Sequence, residues 1–213
     1  MLARLLAAVA AMVVVVTASN ILVQYPVQAN LGPVHLGDFL TWGAFTYPFA
    51  FLVTDLTNRY DGAARARLVV VVGFVVALGL SVVLATPRIA IASATAFLIG
   101  QLLDISVFSR LRASRAWFLP PLAASLFGSL IDTLVFFTIA FAPALGFVDA
   151  LFGMADGSLG FPAPWLGIGA DVPLWTSLAT GDFLVKFLAA LLLLAPYRLL
   201  MGTLMPLPSR AAG

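Results

Sequence analysis

The sequence predicts an all-α integral membrane protein, a bundle of about six transmembrane helices, and three observations carry that reading. Hydrophobic residues make up 62% of the chain and charged residues 9%, where a soluble domain carries about a quarter charged residues. The apolar residues run in blocks of roughly 20, the length that crosses the hydrocarbon core of a bilayer. About six such blocks with their loops use up the 213 residues, leaving no room for a soluble domain of ordinary size. One transmembrane domain over residues 1–213 is the economical organisation.

The first block, Leu5 to Val23, follows Arg4 and passes the small residues Thr17, Ala18 and Ser19, which imitates a cleavable secretory signal. Because five further blocks follow, it is expected to be a retained helix. The second, Leu36 to Asn58, contains Pro48, an expected kink whose freed carbonyl needs a neighbouring helix or water. Leu68 to Ala85 is nearly pure Val, Leu, Gly and Phe and reads as wall. After a Thr86-Pro87-Arg88 turn come Ile89 to Phe108, Trp117 to Phe141 and finally Leu174 to Tyr197. The stretch from Ala142 to Pro173, rich in Gly, Pro and aromatics, is long for a structureless connection. A short interfacial helix or lid is expected there.

Arginine placement orients the bundle. Arg4, Arg59, Arg65, Arg67, Arg110, Arg112, Arg115, Arg198 and Arg210 fall on one side of a six-span arrangement, and Arg88 alone on the other. The positive-inside rule then puts both termini in the cytoplasm and the long loop, with Asp149, Asp156 and Asp171, outside. With no cysteine, disulfides, thiolate nucleophiles and Cys-ligated metals are excluded, and the lone His35 argues against a histidine metal site. No metal and no cofactor are expected.

Function is sought at the ionisable side chains inside the blocks: Asp55, Asp104, Asp132, Asp182 and Lys186. Hydrocarbon makes a bare charge costly, so such groups face a bundle interior or a water-filled cavity. At a rise of about 1.5 Å per residue, Asp55 and Asp104 lie roughly 6 to 9 Å in from the arginine side, and Asp132, Asp182 and Lys186 roughly 18 to 24 Å in. Asn20 reaches the outer level too. Asp182 and Lys186 are an i, i+4 pair, acid first, expected to meet each other or to serve substrate or proton directly. Asp132 is then left as the unpaired outer carboxylate.

An internal echo supports a duplicated helix. Residues 96–108 and 124–136 share the frame A-x-L-x-G-x-L-x-D-x-x-V-F. Because consecutive spans run in opposite directions, such a pair makes an inverted repeat, as in many secondary transporters; shared helix-packing grammar around a small Gly is the competing explanation. One stripe gathers Phe97, Gln101, Asp104 and Phe108, the other Ser125, Ser129, Asp132 and Phe136. Aromatic, amide and carboxylate groups on one face suit a planar heterocycle with adjacent N–H donors. Interhelical hydrogen bonding that only holds the bundle together is the plainer alternative.

The strings W-G-A-F-T-Y-P-F-A-F-L-V-T-D-L-T-N-R at 42–59, R-I-A-I-A-S at 88–93, G-Q-L-L-D-I-S-V-F-S-R-L-R at 100–112 and S-L-I-D-T-L-V-F-F-T-I-A-F at 129–141 resemble the queuosine precursor transporter family, also called the vitamin uptake transporter family. Ser19 to Gln24 and the Asp182-x-x-x-Lys186 pair fit the same pattern. The resemblance covers nearly the whole chain and departs mainly in the outer loop. It implies a secondary transporter that imports 7-cyano-7-deazaguanine and 7-aminomethyl-7-deazaguanine across a bacterial inner membrane to feed queuosine modification of transfer RNA, without touching nucleic acid itself. Its partners would be that small-molecule base and membrane lipids, with a homo-oligomer left open. A carboxylate can accept the N1–H and amine edge of a deazaguanine in parallel. That edge is assigned to Asp104 or Asp132, O6 to Gln101 or Asn58, and stacking to Trp42, Phe97 or Phe136. Asp55 completes the binding set, and a remaining aspartate meets the aminomethyl cation or carries a coupling proton.

Rival classes fare worse. Asp61-Gly62-Ala63-Ala64-Arg65 is one residue out of step with the D-G-x-x-A-R of membrane phosphotransferases, and the metal-binding aspartates that should follow are missing. Gly167-Ile168-Gly169-Ala170-Asp171 breaks the G-x-G-D string of an intramembrane aspartyl protease, and no Ser, His and Asp constellation offers nucleophilic catalysis. An enzyme is therefore not expected. The closer alternative is a substrate-binding subunit of an energy-coupling-factor importer for a deazapurine or vitamin, whose partner could pack on the Ala-rich first helix. No G-x-x-x-x-G-K-[ST] loop occurs, so ATP hydrolysis by this chain is excluded. A purely structural membrane protein is the third class.

Overall fold

The computed structural model describes residues 2–154 and 159–204. Its helices are α1 (Leu2–Leu22), α2 (Trp42–Thr46), α3 (Pro48–Asp61), α4 (Ala63–Leu84), α5 (Pro87–Leu111), α6 (Leu119–Phe141), α7 (Phe147–Phe152), α8 (Leu174–Leu192) and α9 (Leu194–Leu204). By length and composition, α1, α4, α5, α6 and the α8–α9 unit are five spans able to cross a membrane. The α2–α3 unit, Trp42 to Asp61, where the sequence predicts a further span, is about 30 Å long at the usual rise but interrupted and rich in polar residues, and is not among the five. The expectation of an all-α membrane bundle holds.

The interruption in the second span falls at Tyr47, with Pro48 at the first position of α3. Proline has no N–H to give the preceding turn and its ring crowds the carbonyl four residues back, so one helix stops and another begins. Hydropathy predicts a single last helix ending at Tyr197; the helix instead breaks at Leu193 and continues to Leu204. Pro196 supplies the cause by the same chemistry, since it frees the Leu192 carbonyl. Between α3 and α4 the chain turns at Gly62, whose φ of 86° is open to glycine and strained for other residues.

Two ends are distinguishable. At the arginine end, Arg4 and Arg65 reach Asp61 at 3.6 and 3.0 Å, and the Tyr60 hydroxyl donates to the Leu200 carbonyl. The N-terminal start of α1 and the C-terminal α9 therefore sit together. Arg210 lies outside the described residues. The opposite end carries two small antiparallel hairpins that the hydropathy reading does not anticipate: β1 (Asn30–Leu31) with β2 (Val34–His35), and β3 (Pro162–Pro164) with β4 (Asp171–Pro173).

The long connection at that hairpin end contains α7 and the β3–β4 ribbon; its Asp156 lies outside the described residues. The ribbon rests on the start of α8, where Trp165 Nε1 donates to the Thr180 hydroxyl at 3.2 Å and the Leu166 N–H to Ser177 at 3.1 Å. Helix α7 is tied down by Arg88, the one arginine that sequence position assigns to the outer side. Its side chain is buried, and it donates to Asp149 at 2.6 Å and to the carbonyls of Ile139 and Ala142 at 2.7 and 2.6 Å.

Helix α5 is the centre of the bundle: half of its most apolar window is buried, against 17% for α1. An apolar core of Met12, Val16, Ala50, Val69, Val70, Phe97 and Ile105 joins α1, α3, α4 and α5. The most extensive helix contact is α5 with α6. They approach so closely at Gly100 and Gly128 that a Cβ on either would stand 3.2 or 3.1 Å from the other's carbonyl oxygen. Small residues at a crossing let two membrane helices pack backbone to backbone.

Candidate functional site

A cavity of about 340 Å³ lies within the hairpin half of the bundle, between α1, α2, α4, α5, α6 and α8. That volume is in the range of small-molecule sites. Its walls are mostly aromatic and apolar, with Phe39, Phe97, Phe136, Phe137 and Phe141 among them, and its polar groups include Ser19, Asn20, Tyr47, Asp132, Asp182 and Lys186.

The charged floor is a three-residue network. Lys186 Nζ lies 2.7 Å from Asp132 Oδ2 and 2.6 Å from Asp182 Oδ2, so one ammonium joins α6 to α8. Thr133 donates its hydroxyl to Asp182 at 2.7 Å. Tyr47, at the break between α2 and α3, donates to Asp132 Oδ1 at 2.7 Å, and its ring lies 4.9 Å beneath the Lys186 ammonium. Edge contacts with Phe51 and Phe97 fix that ring. Two carboxylates against one ammonium leave a net negative floor, with Asp182 the more accessible acid at 19% side-chain exposure against 6% for Asp132. A floor of this charge under aromatic walls can accept N–H donors from a flat ligand and can stabilise a cationic substituent.

Nearer the arginine end is a second polar level. Thr54, Asp55, Asn58, Gln101 and Asp104 are all buried, at most 2% exposed. The Thr54 hydroxyl donates to Gln101 Oε1 at 2.6 Å, and the Asn58 amide donates to the Ile105 carbonyl and to Ser109, each at 3.1 Å. Asp55 takes a long 3.4 Å bond from Ser125. Below this level the bundle is closed by Arg59, whose Nε donates to the Tyr197 hydroxyl at 3.0 Å and whose guanidinium stacks over Phe108 at 5.2 Å. Arg59 and Arg112 also exchange guanidinium-to-carbonyl hydrogen bonds.

A family model described as "Putative vitamin uptake transporter" matches residues 41–86 and 80–200. The chain belongs to the vitamin uptake transporter family. It is 44% identical over 147 residues to the "Queuosine precursor transporter" of Escherichia coli, covering 60% of this chain and 64% of that protein. It is 38% identical over 195 residues to the "Probable queuosine precursor transporter" of Haemophilus influenzae, covering 74% of this chain and 83% of that protein. The chain thus spans a little under two thirds of the first relative and more of the second. No solved structure matches. The resemblance drawn from the T-D-L-T and G-Q-L-L-D strings is borne out, and this family member is a multi-pass membrane protein.

The residues singled out from sequence in this family member fall in three places. Phe97, Asp132, Phe136, Asp182 and Lys186 line the cavity. Asp55, Asn58, Gln101 and Asp104 form the second level and are not among its lining residues. Trp42 is 48% exposed beside Phe45 and is also outside the lining. Sequence position makes Asp132 the unpaired outer carboxylate; the network corrects this, because Lys186 reaches it across the α6–α8 contact as well as reaching Asp182 along its own helix. Sequence reasoning missed Tyr47. A tyrosine directly before a mid-span proline was the available signal, since its hydroxyl needs a partner when buried.

Proposed function

We propose that this chain is a secondary transporter that imports the queuosine precursors 7-cyano-7-deazaguanine and 7-aminomethyl-7-deazaguanine across the bacterial inner membrane. The observation that carries the reading is the aromatic-walled cavity with the Asp132–Lys186–Asp182 floor. Both relatives bear queuosine precursor transporter names. With the arginine end in the cytoplasm, as the positive-inside rule favours, the hairpin-end cavity faces outward and Arg59, Arg112 and Tyr197 close the inner side.

In this reading the base lies against Phe97 and Phe136, and its N1–H and exocyclic amine turn to the carboxylates of Asp182 and Asp132. Asn20 and Ser19 are at hand in the lining for O6. The aminomethyl substituent carries a positive charge that the net negative floor stabilises. The test is a binding titration of the purified chain with 7-aminomethyl-7-deazaguanine, with guanine as competitor, followed by uptake into proteoliposomes. Saturable binding that guanine competes poorly supports the proposal. Absence of saturable binding for either deazaguanine overturns it.

A further inference from the structure

Two carboxylates sit at the second level with no cation bound to them among the described residues. Asp104 is 0% exposed and Asp55 2%, and both face the same turn of α6, Asp55 at Ser125 and Asp104 at Gly128. Neither oxygen of Asp104 has a hydrogen-bond partner among the described residues, nor does Asp55 Oδ1. The packing around the pair can be walked element by element. On α3, Thr54 bonds Gln101, Asn58 bonds α5, and Arg59, whose charge reaches Asp55, is engaged with Tyr197, Phe108 and the Arg112 carbonyl. On α6, Gly128 packs against the Asp104 Cβ, and Ser125 reaches Asp55. On α9, Tyr197 faces Asp55. The next cation, Lys186, is held by Asp132 and Asp182 at the cavity floor.

A second observation points to what this pair binds. Gln101 is also 0% exposed, and Thr54, beside Asp55 in the chain, holds its Oε1; its amide nitrogen is a donor without an acceptor among the described residues, one turn before Asp104 on the same face of α5. A metal cation needs a shell of oxygens, and an N–H donor at the rim of the site opposes one. A carboxyl pair that takes up one proton suits it: the proton removes one of the two charges, and the unused amide N–H is a group that favours the charge that remains. Two adjacent ionised carboxylates in so dry a place repel each other, and one shared proton removes that repulsion. Against Asp55, lined also by Ser125 and Tyr197, is a hollow of about 10 Å³, room for about one water molecule.

We propose that Asp55 and Asp104 are the coupling site of this transporter, binding one proton that travels with the base. The inference rests on the transport reading above and adds to it the energy source and the residues that carry it. The proton is taken up at the carboxyl pair while the cavity faces outward. It leaves to cytoplasmic water through the hollow at Tyr197 once the Arg59–Tyr197 contact opens, and the pair regains its charge. Coupling is mechanical, because α3 and α6 each touch both levels: α3 begins beside Tyr47 and carries Asp55, and α6 carries Asp132 and seats Asp104 against Gly128.

The experiment compares the intact chain with Asp55→Asn and Asp104→Asn in proteoliposomes, using 7-aminomethyl-7-deazaguanine. The expected result is accumulation driven by an inward proton gradient in the parent, loss of that accumulation in either variant, and, because the base is held at the cavity by Asp132 and Asp182 and not by Asp55 or Asp104 as the sequence suggested, retained base binding and base-for-base exchange in both. Accumulation driven by a sodium gradient at constant pH, an undiminished proton-driven response in Asp104→Asn, or loss of base binding in both variants overturns the proposal. Infrared difference spectra of the substrate-free parent across pH give a readout independent of any base. A protonated-carboxyl band that disappears in Asp104→Asn or Asp55→Asn supports the site, and a parent without such a band refutes it. If no deazaguanine binds the parent, the transport reading fails while the infrared result still decides the proton site.

Discussion

Gly100 of α5 and Gly128 of α6 each make room for the aspartate of the other helix. A Cβ on Gly100 would stand 2.9 Å from the Asp132 Cβ, and a Cβ on Gly128 would stand 3.2 Å from the Asp104 Cβ. Gly and Asp four residues apart in both halves of the A-x-L-x-G-x-L-x-D frame are thus complementary in space: the glycine of one copy seats the acid of the other. The two acids then diverge in chemistry, Asp132 gaining Lys186 and Tyr47, Asp104 neither.

Alanine at either glycine overfills this crossing. Gly100→Ala and Gly128→Ala are each expected to cost about 1 to 3 kcal/mol, seen as a lower unfolding midpoint in detergent. Gly79→Ala is the control, because nothing lies within 4 Å of a Cβ there; it is expected to be neutral or slightly stabilising through helix propensity.

Removing the ammonium leaves two buried carboxylates facing each other. Lys186→Met is expected to destabilise the bundle by about 3 to 5 kcal/mol, the usual range for breaking a buried pair, and to abolish base binding. Adding Asp132→Asn to Lys186→Met is expected to recover part of the stability. Unfolding midpoints of the two single variants and the double variant check this.

Tyr47→Phe deletes one hydroxyl and keeps the ring edges on Phe51 and Phe97. The lost bond is to a charged acceptor, so a cost of about 1.5 to 3 kcal/mol is expected, together with weaker base binding. Isothermal titration and thermal unfolding of the same preparation measure both.

Arg88 clamps α7 with three acceptors at once. Lysine lacks the planar fork, so Arg88→Lys is expected to fail as a replacement. Amide exchange over Phe147–Phe152 should rise in Arg88→Lys and in Arg88→Ala alike; protection equal to the parent in Arg88→Lys would contradict this.

The competing energy-coupling-factor arrangement predicts no net uptake without an ATPase module. Proteoliposomes holding this chain alone are expected to take up 7-aminomethyl-7-deazaguanine. A strict requirement for added ATPase subunits in the same assay decides for the other arrangement.

The bundle was legible because hydropathy and the Pro48 break depend on residues near in sequence. The sorting of the polar groups into two levels was legible too, since rise per residue places Asp55 and Asp104 apart from Asp132, Asp182 and Lys186. What stayed hidden depended on side chains crossing between helices. The i, i+4 rule finds Lys186 with Asp182 but says nothing of Asp132, 54 positions away. Sequence position placed Arg88 on the outer side and no more, because its acceptors, the carbonyls of Ile139 and Ala142 and the Asp149 carboxylate of α7, have no sequence signature. The hairpins at 30–35 and 162–173 were passed over since strands of two or three residues carry no usable periodicity.

Asp182 and Lys186 lie one turn apart on the same helix, so the final hydrophobic segment can enter the bilayer as a nearly neutral unit during synthesis. Asp132, made 54 residues before that lysine, has no such companion on α6 and meets its ammonium only when α8 arrives. The closing of this bundle is therefore tied to the emergence of its last span from the ribosome, and a chain cut short before Lys186 would be left with a stranded acid in lipid.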